Sequence, residues 1–167
     1  MKKTFFTILI VLVACVIVKA QSVTATSTVT AKIPVAMQLV VTNGGSVNFD
    51  FTGQVASLST GLQQLNAVTL TYSSNTPWYI NINTTTPNFS GGSAAAPMPA
   101  SVLQFRNNAG GSYAPLGVAP ISLKGTTGSK IPPGAGTLGI DMKMVPGNTV
   151  TPATNYAIGI TYTLSNL

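Results

Sequence analysis

Apolar side chains recur at every second position in run after run of this chain. Trp78, Ile80 and Ile82 alternate with Tyr79, Asn81 and Asn83, and Leu138, Ile140, Met142 and Met144 fall in phase. In the last run, Tyr156, Ile158, Ile160, Tyr162 and Leu164 alternate with Ala157, Gly159, Thr161 and Thr163. Period two sends successive side chains to opposite faces of a strand. No stretch after residue 20 carries the i, i+3, i+4 spacing of an amphipathic helix. Further strand-like runs cover residues 22–32, 35–41, 46–51, 65–72, 102–105 and 121–123. In the first of these, Thr24, Thr26, Thr28 and Thr30 point one way, and Val23, Ala25, Val29 and Ala31 the other. In residues 46–51, Val47, Phe49 and Phe51 share a face.

Turn signals punctuate the runs. Asn43-Gly44-Gly45 is a strong one, and Ser73 through Pro77 supplies another. Pro34 removes a ladder donor and so marks an edge. Residues 84–99 and 125–136 read as long loops rich in Gly, Pro, Ser and Thr. Eight or nine short strands so spaced predict an all-β fold: an antiparallel β-sandwich, immunoglobulin-like or related. No repeat of fixed period is visible, which argues against a solenoid.

The opening residues are of a different kind. Lys2 and Lys3 precede an apolar stretch of about 14 residues, and Val18-Lys19-Ala20 offers small residues where a signal peptidase reads. A transmembrane helix needs about 20 apolar residues. Residues 1–20 are therefore read as a signal peptide, cut between Ala20 and Gln21, and residues 21–167 as one sandwich domain with no transmembrane span. Cys15 at the end of Leu12-Val13-Ala14-Cys15 also fits a lipobox, so a lipid-anchored form is the alternative. Both routes carry the chain out of the cytoplasm, to a secreted or cell-surface location. No other cysteine follows, so the domain must stand on packing without a disulfide.

Charge narrows the chemistry. Charged residues make up 6% of the chain, against about 25% in ordinary soluble domains. There is no histidine, and the only side-chain carboxylates are Asp50 and Asp141. A two-carboxylate glycosidase would need these two to converge across a cleft. Each reads more simply as a turn or strand-end residue. No phosphate loop, metal-ligand cluster or cofactor motif is present, and the reading is of a non-enzymatic protein with no cofactor. The net charge of +6 includes three lysines of the leader, and the remaining cations do not cluster. A nucleic-acid partner, which needs several together, is not expected.

Two kinds of contact are expected instead. Tyr79, Asn81 and Asn83 share the polar face of their strand and, with Tyr113 of a Gly-rich loop, form a candidate polysaccharide site. The terminal strands are candidate assembly elements, with Val23, Ala25 and Val29 at one end and Tyr156, Ile158, Ile160 and Tyr162 at the other. An alternating strand can complete its own sheet or be donated to the edge of another subunit, and low charge leaves such edges poorly blocked.

The order of these features resembles small bacterial surface sandwiches. They are a Thr/Ala-rich first strand, a Pro-interrupted strand, Val47-Asn48-Phe49-Asp50-Phe51, a mid-chain Trp, and a closing strand over residues 155–164. The chain is similar to WxL-type wall-binding domains and to spore-coat-U-like and pilin-like secreted domains. Tyr162-Thr163-Leu164 stands where a Trp-x-Leu ending would, with Tyr for Trp, and the mid-chain triplet is Trp78-Tyr79-Ile80. The resemblance implies a bacterial surface location and a structural or adhesive role, with this chain itself or other surface proteins as partners. It carries over no catalytic residue.

Overall fold

The computed structural model describes residues 26–92, 97–153 and 155–167. The signal-peptide residues, including Cys15, Ala20 and Gln21, lie outside them, as do Val23 and Ala25. The chain divides into two compact units, Met1–Ile33 and Pro34–Leu167.

The second unit is an all-β sandwich, as the alternation predicts. Its strands are β1 (Met37–Asn43), β2 (Leu62–Ser74), β3 (Tyr79–Thr84), β4 (Leu103–Asn107), β5 (Ala114–Pro115), β6 (Ile121–Lys124), β7 (Gly134–Met144) and β8 (Ile160–Ser165). They form a five-stranded sheet in the order β1-β2-β7-β4-β5 and a three-stranded sheet in the order β6-β3-β8, and every ladder is antiparallel. One helical turn, Ser57–Thr60, precedes β2.

The period-two positions build the core. Val68, Leu70 and Tyr72 of β2, Leu103 and Phe105 of β4, and Leu138, Ile140, Met142 and Met144 of β7 face inward from the larger sheet. Trp78, Ile80 and Ile82 and Leu123 of β6 meet them from the smaller, and all of these are buried. Burying a side chain of this size stabilises by about 1.5–3 kcal/mol, which is why the alternation fixes the faces. Tyr72 and Trp78 pack ring on ring at 4.4 Å. Lys124 Nζ donates to Tyr72 Oη at 2.9 Å and sits 5.0 Å above that ring.

The longest strand pair carries one defect. Between Gln64 and Val68 the β2–β7 register shifts, and Asn66 takes φ 50°. The bulge is held from outside the core. Asp141 accepts the Asn66 N–H at 2.8 Å and Arg106 Nε at 2.9 Å, and Asn108 Nδ2 donates to Asn66 Oδ1 at 2.7 Å.

Three expectations about strands need correction. Val29 was expected on a strand over residues 22–32, but residues 26–36 form none, and Val29 is 90% exposed. β-propensity gives no ladder by itself; a strand needs a neighbour to take its N–H and C=O groups. Residues 46–51 likewise form no strand, although Val47, Phe49 and Phe51 are half-buried on one face as expected. The final strand begins at Ile160, so Tyr156 and Ile158 lie before it. They sit on an approach that touches the 84–92 loop only intermittently, through Thr85 N–H to Gly159 O and a Ser90–Ala157 bridge. Their alternation still holds: Tyr156, Ile158, Ile160 and Tyr162 are all half-buried.

Candidate functional site

Four strands end the two sheets: β1 and β5 in the larger, β6 and β8 in the smaller. Edge strands offer unpaired backbone groups, and proteins block them with proline or charge. β5 carries Pro115 and β6 carries Lys124. β1 (MQLVVTN) and β8 (ITYTLS) carry neither. The two unblocked edges lie on the same side of the sandwich, since Met37, Gln38 and Leu39 line a small cleft with Tyr162, Thr163 and Leu164.

Beyond that cleft the sheets part, and an open cavity of about 1090 Å³ lies between them. Its floor is core: Val68, Leu103, Met142 and Met144. One wall is the unpaired segment with Val47, Phe49 and Phe51; the other is Phe89, Tyr156, Ile158, Ile160 and Tyr162. Phe89 meets Tyr156 edge-on at 6.5 Å. Burial raises the Tyr162 phenol above its usual range. At Gly92 φ is +66° and an added Cβ would run into the Tyr156 ring, so the close approach of backbone to ring there favours glycine. Sequence reasoning found Val47, Phe49 and Phe51 of one wall and Tyr156, Ile158, Ile160 and Tyr162 of the other, but neither Phe89, which lies in a segment read as loop, nor the cavity, because no local pattern reports where two sheets diverge.

The candidate polysaccharide residues are split by the fold. Tyr79, Asn81 and Asn83 stand on the outer face of the three-stranded sheet, directly opposite Ser165, Thr163 and Thr161 of β8. Ser122 of β6 lies opposite Asn81. Hydrogen bonding to Ser165 and Thr127, with Lys130 nearby, holds the Tyr79 hydroxyl below its ordinary pKa. Tyr113 is not part of this face. It stands at the far end of the other sheet, with the Arg106 guanidinium 4.7 Å above its ring. Its hydroxyl is buried without a hydrogen-bond partner among the described residues, and burial raises its pKa.

The two carboxylates are also apart. Asp50 is exposed on the cavity rim, where the Thr52 hydrogen bonds lower its pKa. Asp141 alternates with Ile140 and Met142, so it stands on the opposite side of the larger sheet, 3% exposed and paired to Arg106. The two do not form a cleft pair. Among the described residues no group of three acidic, histidine or cysteine side chains could hold a metal ion. No described helix is long and apolar enough to cross a membrane.

Fold and edges together define a class: an all-β sandwich, open along one side between two unblocked strands. No family model matches the chain, and no curated protein matches it.

Proposed function

We propose that this protein is an exported, non-enzymatic structural or adhesive subunit of a bacterial surface that assembles with copies of itself through its β edges. The observation that carries the reading is the bare edge of β8 beside an open cavity with an apolar floor. An uncharged edge strand is a template for another strand, and the backbone hydrogen bonds of strand addition supply affinity, while side-chain pockets supply selectivity. A leader for export and a domain solubilised by Ser, Thr, Asn and Gln agree with a life outside the cell. The test is the size of the chain purified after export, by light scattering and negative-stain microscopy over a wide concentration range. Ordered oligomers or filaments that grow with concentration are expected. A monomer at every concentration would sink the reading.

One observation favours a second reading. The outer face of the three-stranded sheet is uncharged over Tyr79, Asn81, Asn83, Thr161 and Thr163, with one aromatic among hydroxyls and amides. That is a surface suited to a neutral polysaccharide. Under this reading the protein stays monomeric and is retained on a glycan array, and Tyr79→Ala loses the retention. Equal retention of the variant would remove Tyr79 from the site.

A further inference from the structure

One cation is built into the rim of a polar face and left without a counter-ion among the described residues. Four cations follow residue 33: Arg106, Lys124, Lys130 and Lys143. Arg106 pairs with Asp141, and Lys124 lies over the Tyr72 and Trp78 rings. Lys143 stands on the larger sheet, opposite Gln63 and Gln104. Lys130 is exposed beside the three-stranded sheet and makes no ion pair among the described residues.

The backbone fixes where that cation sits. Trp78 N–H donates to Ile131 O at 2.9 Å, and Ile131 N–H donates to Trp78 O at 2.7 Å. This antiparallel bridge lies just ahead of β3, so Lys130 comes beside Tyr79. A second bridge, between Thr126 and Ser129, closes the turn that carries Thr127. On the other flank of β3, Tyr79 stands opposite Ser165. Lys130 Nζ reaches toward that flank and donates to Asn166 O at 2.7 Å. An ammonium carries three donors, so this bond orients the group and leaves two donors for a ligand.

Hydroxyls converge on the same point. Those of Ser165 and Thr127 bond the Tyr79 oxygen and, with Lys130 nearby, hold its pKa below the ordinary value. A phenol ionises more readily where its surroundings favour negative charge, and a ligand oxyanion at that corner meets the same groups. One cation among neutral donors balances one negative charge. That suits a carboxylate better than a phosphate monoester, which carries about −1.5 to −2. From this corner the uncharged face runs along β3 to Asn83, about 13 Å over four residues, with Thr163 and Thr161 of β8 beside it.

We propose that Lys130, with Tyr79, Thr127 and Ser165, is a subsite for the carboxylate of an acidic sugar, at one end of a face that takes the neutral sugars of the same polysaccharide. The subsite rests on the polysaccharide reading of this face and adds the class of sugar that is selected. The experiment uses the full chain, exported with its own leader, on an array of gluco-, galacto- and xylo-oligosaccharides. Each neutral oligosaccharide stands beside the same one carrying a single glucuronate. The wild type should hold the acidic member of at least one pair about three- to tenfold more strongly than its neutral partner, as for an exposed ion pair reinforced by neutral hydrogen bonds. About 0.5 M salt should erase the difference. Lys130→Gln should make the pair equal while still holding the neutral member, which also shows that the variant is folded. Lys130→Arg should keep the preference, and Lys143→Gln, a cation on the other sheet, should leave it unchanged. Equal retention within every pair, a preference that survives Lys130→Gln, or one that falls as far with Lys143→Gln overturns the carboxylate subsite and leaves the polysaccharide reading standing. A chain that retains no member of any pair overturns the polysaccharide reading, and the subsite with it.

Discussion

Replacing Asp141 with alanine removes the acceptor for two donors at once. Asp141 is 3% exposed, on the outer side of β7, and takes the Asn66 N–H at 2.8 Å and Arg106 Nε at 2.9 Å. In the variant, the Asn66 N–H at the exposed bulge loses its bond to a charged acceptor, at a cost of about 1.5–3 kcal/mol. The Arg106 side chain is 28% exposed and can turn to water, so losing the pair adds only about 1 kcal/mol there. The sum is about 3 kcal/mol. Arg106→Ala is the harsher single change for the carboxylate itself. It leaves Asp141 buried with one donor, and such unpaired charges cost about 3–5 kcal/mol. The double variant has neither a stranded charge nor a stranded guanidinium. Its cost should fall short of the sum of the singles by about 1.5–3 kcal/mol. Urea unfolding followed by the fluorescence of Trp78, the chain's single tryptophan, measures all three. With a slope of about 1.5–2 kcal/mol per M, Asp141→Ala should lower the midpoint by about 1.5–2 M at unchanged slope. A shift under about 0.3 M, or strict additivity in the double variant, would refute the claim that Asp141 pins the bulge.

Further outcomes follow from the same geometry. Gly44→Ala should destabilise by about 2–4 kcal/mol in the same urea assay, because φ there is +80° and the new Cβ would meet the Ala67 carbonyl and lie 2.8 Å from Val68 Cα; a neutral result would mean the β1–β2 connection yields freely. Burial raises the Tyr162 phenol, so the folded state keeps its proton where the unfolded chain loses it. That stability is complete below about pH 10 and declines above it. Tyr162→Phe should therefore flatten the alkaline limb of stability against pH, and an unchanged limb would exclude Tyr162 as its source. Ile82→Ala removes a fully buried residue at the centre of β3 and should cost about 2–5 kcal/mol; melting temperature reads it, and a loss under about 1 kcal/mol would show that the core collapses around the gap.

The all-β class and the inward faces were legible because burial acts residue by residue. Wherever period two ran through Trp78–Ile80–Ile82 or Leu138–Ile140–Met142, the apolar set is the buried set. Strand ends were less legible. β2 extends to Leu62 and β7 starts at Gly134, since a ladder continues as long as a neighbour supplies hydrogen bonds, whatever the side chains. The same rule explains the failures. Residues 26–32 and 46–51 have strand chemistry and no ladder, because pairing is a property of two segments and propensity of one.

The candidate sites divide along the same line. Sequence alone determined which faces of the terminal segments are apolar, that Tyr79, Asn81 and Asn83 share a face, and that the carboxylates are two. The tertiary structure decided that Tyr113 belongs to the other sheet, that Asp141 is a buried anchor while Asp50 is exposed at a rim, and that β1 and β8 are bare edges on one side of an open cavity. Alternation and charge are written in neighbouring residues, and local physics reads them. Which edges end up adjacent, and where two sheets separate, depends on contacts between elements as far apart in the chain as β1 and β8, and no local pattern encodes them.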